Sequence, residues 1–245
     1  MTTRILCEYM RCMTIVGPLT AFHPLDGIAV ALLFLTWATV GWLIERPHAK
    51  RKSASVLMAR YRLEWMGHIA TRDPRVFDAM LLTNLREGTA FFASACLIAI
   101  GGGMALLSNT ERVSMIAEDL IRDTAPQAVL EIKILTVILL LTAAFLKFVW
   151  ANRVFGYCAV LAGTIPNDVS DPRCEVRSRQ AGELNVTAAR AFNKGLRSVY
   201  FALGALAWLV GAWALIVATV LTLIMIIRRE YASRSRNVLL EEPIQ

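Results

Sequence analysis

Four stretches of the chain lack the alternation of apolar and polar positions that marks a surface helix or a half-buried strand. Residues 27–44 carry no charge between Asp26 and Glu45, and residues 88–107 carry none after Arg86 and Glu87. Residues 128–150 are apolar except for Glu131 and Lys133 near one end and Lys147 near the other. Residues 198–227 are uncharged throughout. A helix crosses hydrocarbon ~30 Å thick with about 20 apolar residues, so each stretch is read as membrane-spanning. The charges at the ends of the third, Lys147 included, are expected to snorkel to the interface.

The fourth stretch is too long for one simple crossing, about 45 Å as a straight helix. Two readings compete. Trp208 and Trp213 flank Gly211, and Trp prefers the membrane interface, so a turn there would put both rings at the far surface. Against this, Gly204, Ala207, Gly211, Ala214 and Ala218 recur at steps of three and four, the pattern of one uninterrupted small-residue face. The hairpin is favoured, with its first arm starting near Phe192.

The connections are also patterned. In residues 53–70, Leu57, Tyr61, Trp65 and Ile69 recur every four positions, with Arg60, Arg62 and Glu64 off that line. This is a basic amphipathic helix, suited either to the membrane interface or to packing against the other long connection. Asp73 and Pro74 read as the cap and first turn of a new helix that leads into the second span. The third span continues to about Ala162 and stops at Gly163–Pro166, where Gly and Pro cluster. A polar helix over 176–194 feeds the last apolar stretch.

Composition turns this pattern into a class. Of 245 residues, 56% are apolar and 18% charged, with mean hydropathy +0.52. Soluble domains average about 25% charged residues, so the chain is a polytopic membrane protein rather than a water-soluble globule. The net charge of +7 comes mostly from Lys and Arg that flank the apolar runs, which directs it to anionic lipid headgroups rather than nucleic acid. Residues 46–86 hold nine Lys/Arg and 147–197 hold eight, whereas 109–127 hold two against four acids. The two basic connections are therefore assigned to the cytoplasm and the N-terminus to the outside, and a final hairpin returns Arg228, Arg229, Arg234 and Arg236 to the cytoplasm.

Catalytic and metal-binding patterns are sparse. His23, His48 and His68 all lie outside the apolar runs, with His23 and His48 on opposite sides of the first. Cys7, Cys12, Cys96, Cys158 and Cys174 are scattered and read as small apolar residues. Gly101–Gly103 lacks the Lys-Ser/Thr of a phosphate loop and reads as a close-packing site. No cofactor or metal is expected, and no enzymatic activity. The candidate site is the polar cluster of the two basic connections: Arg62, Trp65, Arg72, Asp73, Arg75 and Asp78 on one, Asn193 and Arg197 on the other. Its alternating Arg and Asp suggest ion pairs that lock the connections together, with Asp73 and Arg197 among them. A pocket for a lipid headgroup or another anion is the sharper alternative.

At these residues the chain resembles a known family. Arg62-x-x-Trp65–Met66, the run Arg72–Asp73–Pro74–Arg75–Val76-x-Asp78 and Phe91–Phe92–Ala93–Ser94 are similar to the first half of the bacterial and plant membrane family called domain of unknown function 599. Phe192–Asn193–Lys194–Gly195–Leu196–Arg197, Tyr200–Phe201–Ala202–Leu203 and Arg228–Arg229–Glu230 are similar to its second half. The resemblance implies an all-helical multi-pass protein and brings no activity or catalytic residue with it.

The sequence therefore predicts an all-α membrane helix bundle with four apolar segments and helical cytoplasmic connections. Residues 1–23 form an N-terminal segment in which Met13 is a second candidate start. Residues 24–231 form one integral domain, and 232–245 a polar tail. The expected role is that of a non-enzymatic scaffold, accessory or assembly factor of the inner (plasma) membrane. A small-solute channel or transporter is the alternative, and a lipid-acting enzyme the third reading. The expected partners are the bilayer, anionic headgroups, and a membrane protein or a second copy of the chain.

Overall fold

A computed structural model describes residues 22–46, 51–109 and 127–241. The expectations for Met13, Cys7, Cys12, His48 and the acidic connection 110–126 lie outside those residues. The described chain is helical, in the order α1 (Pro24–Ile44), α2 (Ala54–His68), α3 (Val76–Leu107), α4 (Gln127–Gly163), α5 (Arg173–Ala205), α6 (Ala212–Tyr231) and α7 (Arg234–Leu240). Among the described residues there is no strand. Four helices among the described residues are long and apolar enough to cross a membrane, and the protein is a multi-pass α-helical membrane protein. Its exposed surface is correspondingly apolar: Ile28, Leu35, Phe91, Ile98, Leu139, Leu146, Val160, Val217 and Leu221 all face outward, as a bilayer solvent requires.

Local chemistry sets the helix ends. His23 caps α1 through a reciprocal box, its ring accepting from Leu25 N while Asp26 accepts from His23 N, with Pro24 in the first turn. Ser53 caps α2 by accepting from Val56 N, and its hydroxyl donates to Ile44 O across the turn. The link between α4 and α5 is held by Asp171, which accepts from the backbone and guanidinium of Arg173. Those donors pull its carboxyl down to about 2.

The expected cap at Asp73 is not made. A 3₁₀ turn, Ile69–Thr71, follows α2, and α3 starts at Val76 with Arg75 in the cap position and no side-chain cap. Long-range bonds hold this corner instead. Arg75 donates to Ile165 O and Pro166 O at 2.6 and 2.8 Å, tying it to the end of α4.

The last apolar stretch folds as a hairpin. Helix α5 ends at Ala205, a 3₁₀ turn spans Leu206–Leu209, and Gly211 precedes α6 with φ +155°. Only glycine adopts that backbone without strain. The small residues that suggested one long helix face serve the turn and the contact between the arms. A Cβ on Gly204 would lie 3.2 Å from Thr222 Oγ1, close to the backbone of Ala218. Trp208 at the tip is buried and donates to Asp26 Oδ1 at 2.7 Å, while Trp213 stays exposed. The second arm returns to the end that carries the basic connections. There Tyr231 OH donates to Leu43 O, Arg51 donates to Tyr231 O and Arg229 donates to Tyr200 OH.

Helix α5 is the axis of the bundle. It packs along α4 and α2 and meets α1 and α6, whereas α3 packs chiefly on α4. The main core joins Ala29, Leu33, Leu140, Phe201, Ala202, Ala205, Trp208 and Leu215. Lipid removes most of the hydrophobic advantage of such contacts, so shape fit and small residues must hold the helices together. A second junction is aromatic. Phe92, Phe148 and Phe192 join α3, α4 and α5 with centroids 5.4–5.7 Å apart, and Gly195 lies so close that a Cβ would come within 2.7 Å of the Phe148 ring. Of the two readings of α2, packing prevails: Leu63 and Met66 press on Gly182 of α5, where an added Cβ would lie 2.9 Å from Leu63 Cδ2. Helix α7 folds back over this layer, with Arg236 donating to Lys52 O.

Candidate functional site

The polar side chains of the basic end divide into two clusters, each built on one carboxylate. Asp78, on the first turn of α3, centres the first. Its Oδ1 accepts from Trp65 Nε1 and from Arg72, both at 2.6 Å, and its side chain is 3% exposed. Arg62 on α2 donates to Asn185 Oδ1 of α5 at 2.6 Å. Asn185 is fully buried and its amide faces Cys158 of α4. Burial pushes the Arg62 guanidinium below its ordinary range. With the bonds from Arg75 to the end of α4, these contacts stitch the two basic connections together. Each of these arginines and Trp65 donates to a fixed protein acceptor, although Arg75 Nε and Asp78 Oδ2 are buried without a partner among the described residues.

Glu45, just past the end of α1, centres the second cluster. It accepts from Arg197 of α5, whose side chain is 7% exposed, and from Lys194 one turn earlier at 3.1 Å. Beneath them, Ser198 Oγ accepts from Trp37 Nε1 at 2.9 Å and from Lys147 Nζ at 2.8 Å while donating to Lys194 O. Lys147 therefore does not snorkel outward. Its ammonium turns into the bundle and lies 4.7 Å from the Trp37 ring centroid. The reason is a buried hydroxyl on α5 that offers the acceptor which water supplies at an interface. Arg46 lies over the Trp42 ring at 3.3 Å. On the other side of Glu45, Asn193 donates to Ser55 Oγ, and Ser55 donates to Glu230 through both its backbone and its hydroxyl.

Two cavities share the Glu45–Arg197 pair as a wall. One of about 620 Å³ lies between α1, α4 and α5, lined by Trp37, Gly41, Trp42, Arg46, Lys147 and Arg190. The other, of about 340 Å³, lies towards α2 and α7, with Arg62, Asn193, Arg229 and Glu230 in its lining.

Of the residues singled out from sequence, Arg62, Trp65, Arg72, Arg75 and Asp78 come together around the first cluster, and Asn193 and Arg197 join the second. Asp73 is exposed and takes part in no ion pair among the described residues. Sequence reasoning missed Glu45, Lys147, Ser198 and Trp37. One signal was present: Arg190, Lys194 and Arg197 follow i, i+4, i+7 spacing and so form a cationic line on α5. Among the described residues no three His, Cys, Asp or Glu side chains gather as metal ligands.

No curated protein and no solved structure matches the chain. The family model described as "Protein of unknown function, DUF599" matches residues 28–235, and with most of its length covered the chain belongs to that family.

Proposed function

We propose that the protein is a non-enzymatic scaffold or accessory factor of the inner (plasma) membrane, with its basic end in the cytoplasm. One observation supports this reading above the others: an apolar core lies directly beyond the polar layer. From Ser198 and Trp37 towards the Trp208 tip, the space between α1, α4, α5 and α6 is occupied by Leu33, Leu140, Phe201, Ala202, Ala205 and Leu215. A transporter normally places polar or titratable groups, or broken helices around a cavity, near mid-membrane. Here both cavities adjoin the cytoplasmic layer. Helix α3, which packs mainly along α4, leaves Leu97, Ile98, Met104 and Leu106 exposed. That surface is available to a membrane partner or a second copy.

The test joins assembly to flux. Purified from its native membrane in mild detergent, the protein is expected as a stoichiometric complex, either with another membrane protein or with itself. In sealed vesicles under a pH gradient it is expected to add no proton flux over empty vesicles. A lone monomer whose flux disappears in Glu131→Gln would overturn the reading and establish the transporter.

A further inference from the structure

We propose that the cleft between α1, α4 and α5 is a binding site for the phosphate of an anionic lipid of the adjacent leaflet. The argument begins with charge. Arg46, Lys147, Arg190, Lys194 and Arg197 line the cleft, and Glu45 is the one carboxylate among the described residues that line it. Glu45 already accepts from Arg197 and Lys194. Lys147, Arg46 and Arg190 have no carboxylate partner among the described residues. Lys147 is half-buried at the end of an apolar span, where an ammonium is costly unless neutralised, and the exposed Arg46 and Arg190 add positive charge beside it, so the site favours an anion from outside the protein.

The cations are also held in place before any ligand arrives. Lys147 is fixed by Ser198 and the Trp37 ring, and Arg46 lies on the Trp42 ring. Aromatic faces orient a cation without neutralising it, so its charge and remaining N–H donors stay directed at the cleft. Arginine forks suit phosphate oxygens, and lysine adds a compact point charge.

Position identifies the carrier of the phosphate. The lining residues Trp37, Ala38, Gly41 and Trp42 of α1, with Glu45 just past its end, run from within the apolar span to its basic end. Helices α1 and α4 both contact α5 but make little contact with each other, so the cleft has α5 as its floor and opens between them towards lipid. Trp42 and Leu43 on α1, and Leu146, Val149 and Trp150 around Lys147 on α4, are exposed apolar groups. An occupant with its charge at Lys147 and Arg46 has hydrocarbon beside it, which describes a phospholipid. The volume of about 620 Å³ is in the range of small-molecule sites.

The test uses the full-length protein in neutral detergent, with native mass spectrometry and thermal melting as readouts. Dioleoyl phosphatidylglycerol is expected to bind saturably, survive as a one-to-one adduct and raise the melting temperature. Dioleoyl phosphatidylcholine is expected to do neither. Lys147→Gln and Arg46→Gln should each weaken phosphatidylglycerol binding about tenfold, the scale of one lost charge-assisted hydrogen bond. Lys147→Arg should restore most of it. Equal binding of the two lipids, or unchanged phosphatidylglycerol affinity in both glutamine variants, overturns the proposal. Glycerol 3-phosphate forms the third arm. If it binds as tightly as the lipid, a soluble phosphate ester replaces phospholipid as occupant and the lipid assignment fails. None of these outcomes depends on a protein partner, so the scaffold reading stands or falls separately.

Discussion

Asp78 and Glu45 are both carboxylates at the basic end of the bundle, each meeting two donors, yet they organise opposite kinds of site. Asp78 is almost fully buried, receives Trp65 and Arg72 on one oxygen, and faces an arginine that is itself partly exposed. Arg72 and Asp78 form a neutral pair there, Arg75 ends on two backbone carbonyls and Arg62 on the side-chain amide of Asn185. Glu45 instead stands among five cations, two of which it pairs. The same functional group closes one site and leaves the other short of negative charge. Cations that end on fixed protein acceptors are suited to structure, whereas cations without a carboxylate beside an open cleft are suited to recognition.

The comparison is open to attack by substitution, with unfolding in neutral detergent as the readout. Asp78→Ala should have the largest effect, about 3 kcal/mol. That is the low end for a broken buried pair, because Arg72 can turn to water while the Trp65 N–H is left behind. A loss below about 1 kcal/mol would put Asp78 in the same class as a surface residue. Glu45→Gln should cost about 2 kcal/mol, since Arg197 keeps an acceptor but loses its counter-charge. Phosphatidylglycerol should return part of that loss in the Glu45 variant and none of it in the Asp78 variant. Recovery in both would erase the distinction. Lys147→Met should be neutral or mildly stabilising, within about 1 kcal/mol, because it removes a cation without a carboxylate partner and leaves the Trp37–Ser198 bond in place. A large destabilisation would make Lys147 a structural residue. Asp73→Ala should change stability least, within about 0.5 kcal/mol, as for other exposed positions without special geometry.

Much of this was legible in one dimension. Charge-free runs set the depth of each helix, because bilayer thickness converts directly into residue number. The hairpin followed from Lys/Arg placement and from Trp208 and Gly211. Depth is only half of a helix coordinate, however. Lys147 stands at a span end, where sequence alone reads an interfacial anchor. Whether it turns outward or inward depends on α5 presenting Ser198, which is 51 positions later. Asp73 and Asp78 both lie near arginines in sequence. Asp73 stands in the turn before α3 and stays exposed, whereas Asp78 on the first turn of α3 is buried against Trp65 and Arg72. The pattern of five small residues from Gly204 to Ala218 was ambiguous for the same reason, since a small face marks a close approach without saying which helix approaches.

The latch between Trp208 and Asp26 also concerns time. Of the described spans, α1 is made before the others and meets α5 and α6 only when the last hairpin arrives, because the bundle closes α1 against them. At 5–20 residues per second, the intervening chain takes roughly 10–40 s to synthesise. Throughout that interval the faces of α1 that carry Trp37 and Leu33 lie open to lipid or to an insertion factor. A ribosome stalled before the hairpin should therefore hold α1 in a state that an insertion factor crosslinks readily, and release of the completed hairpin should end that contact.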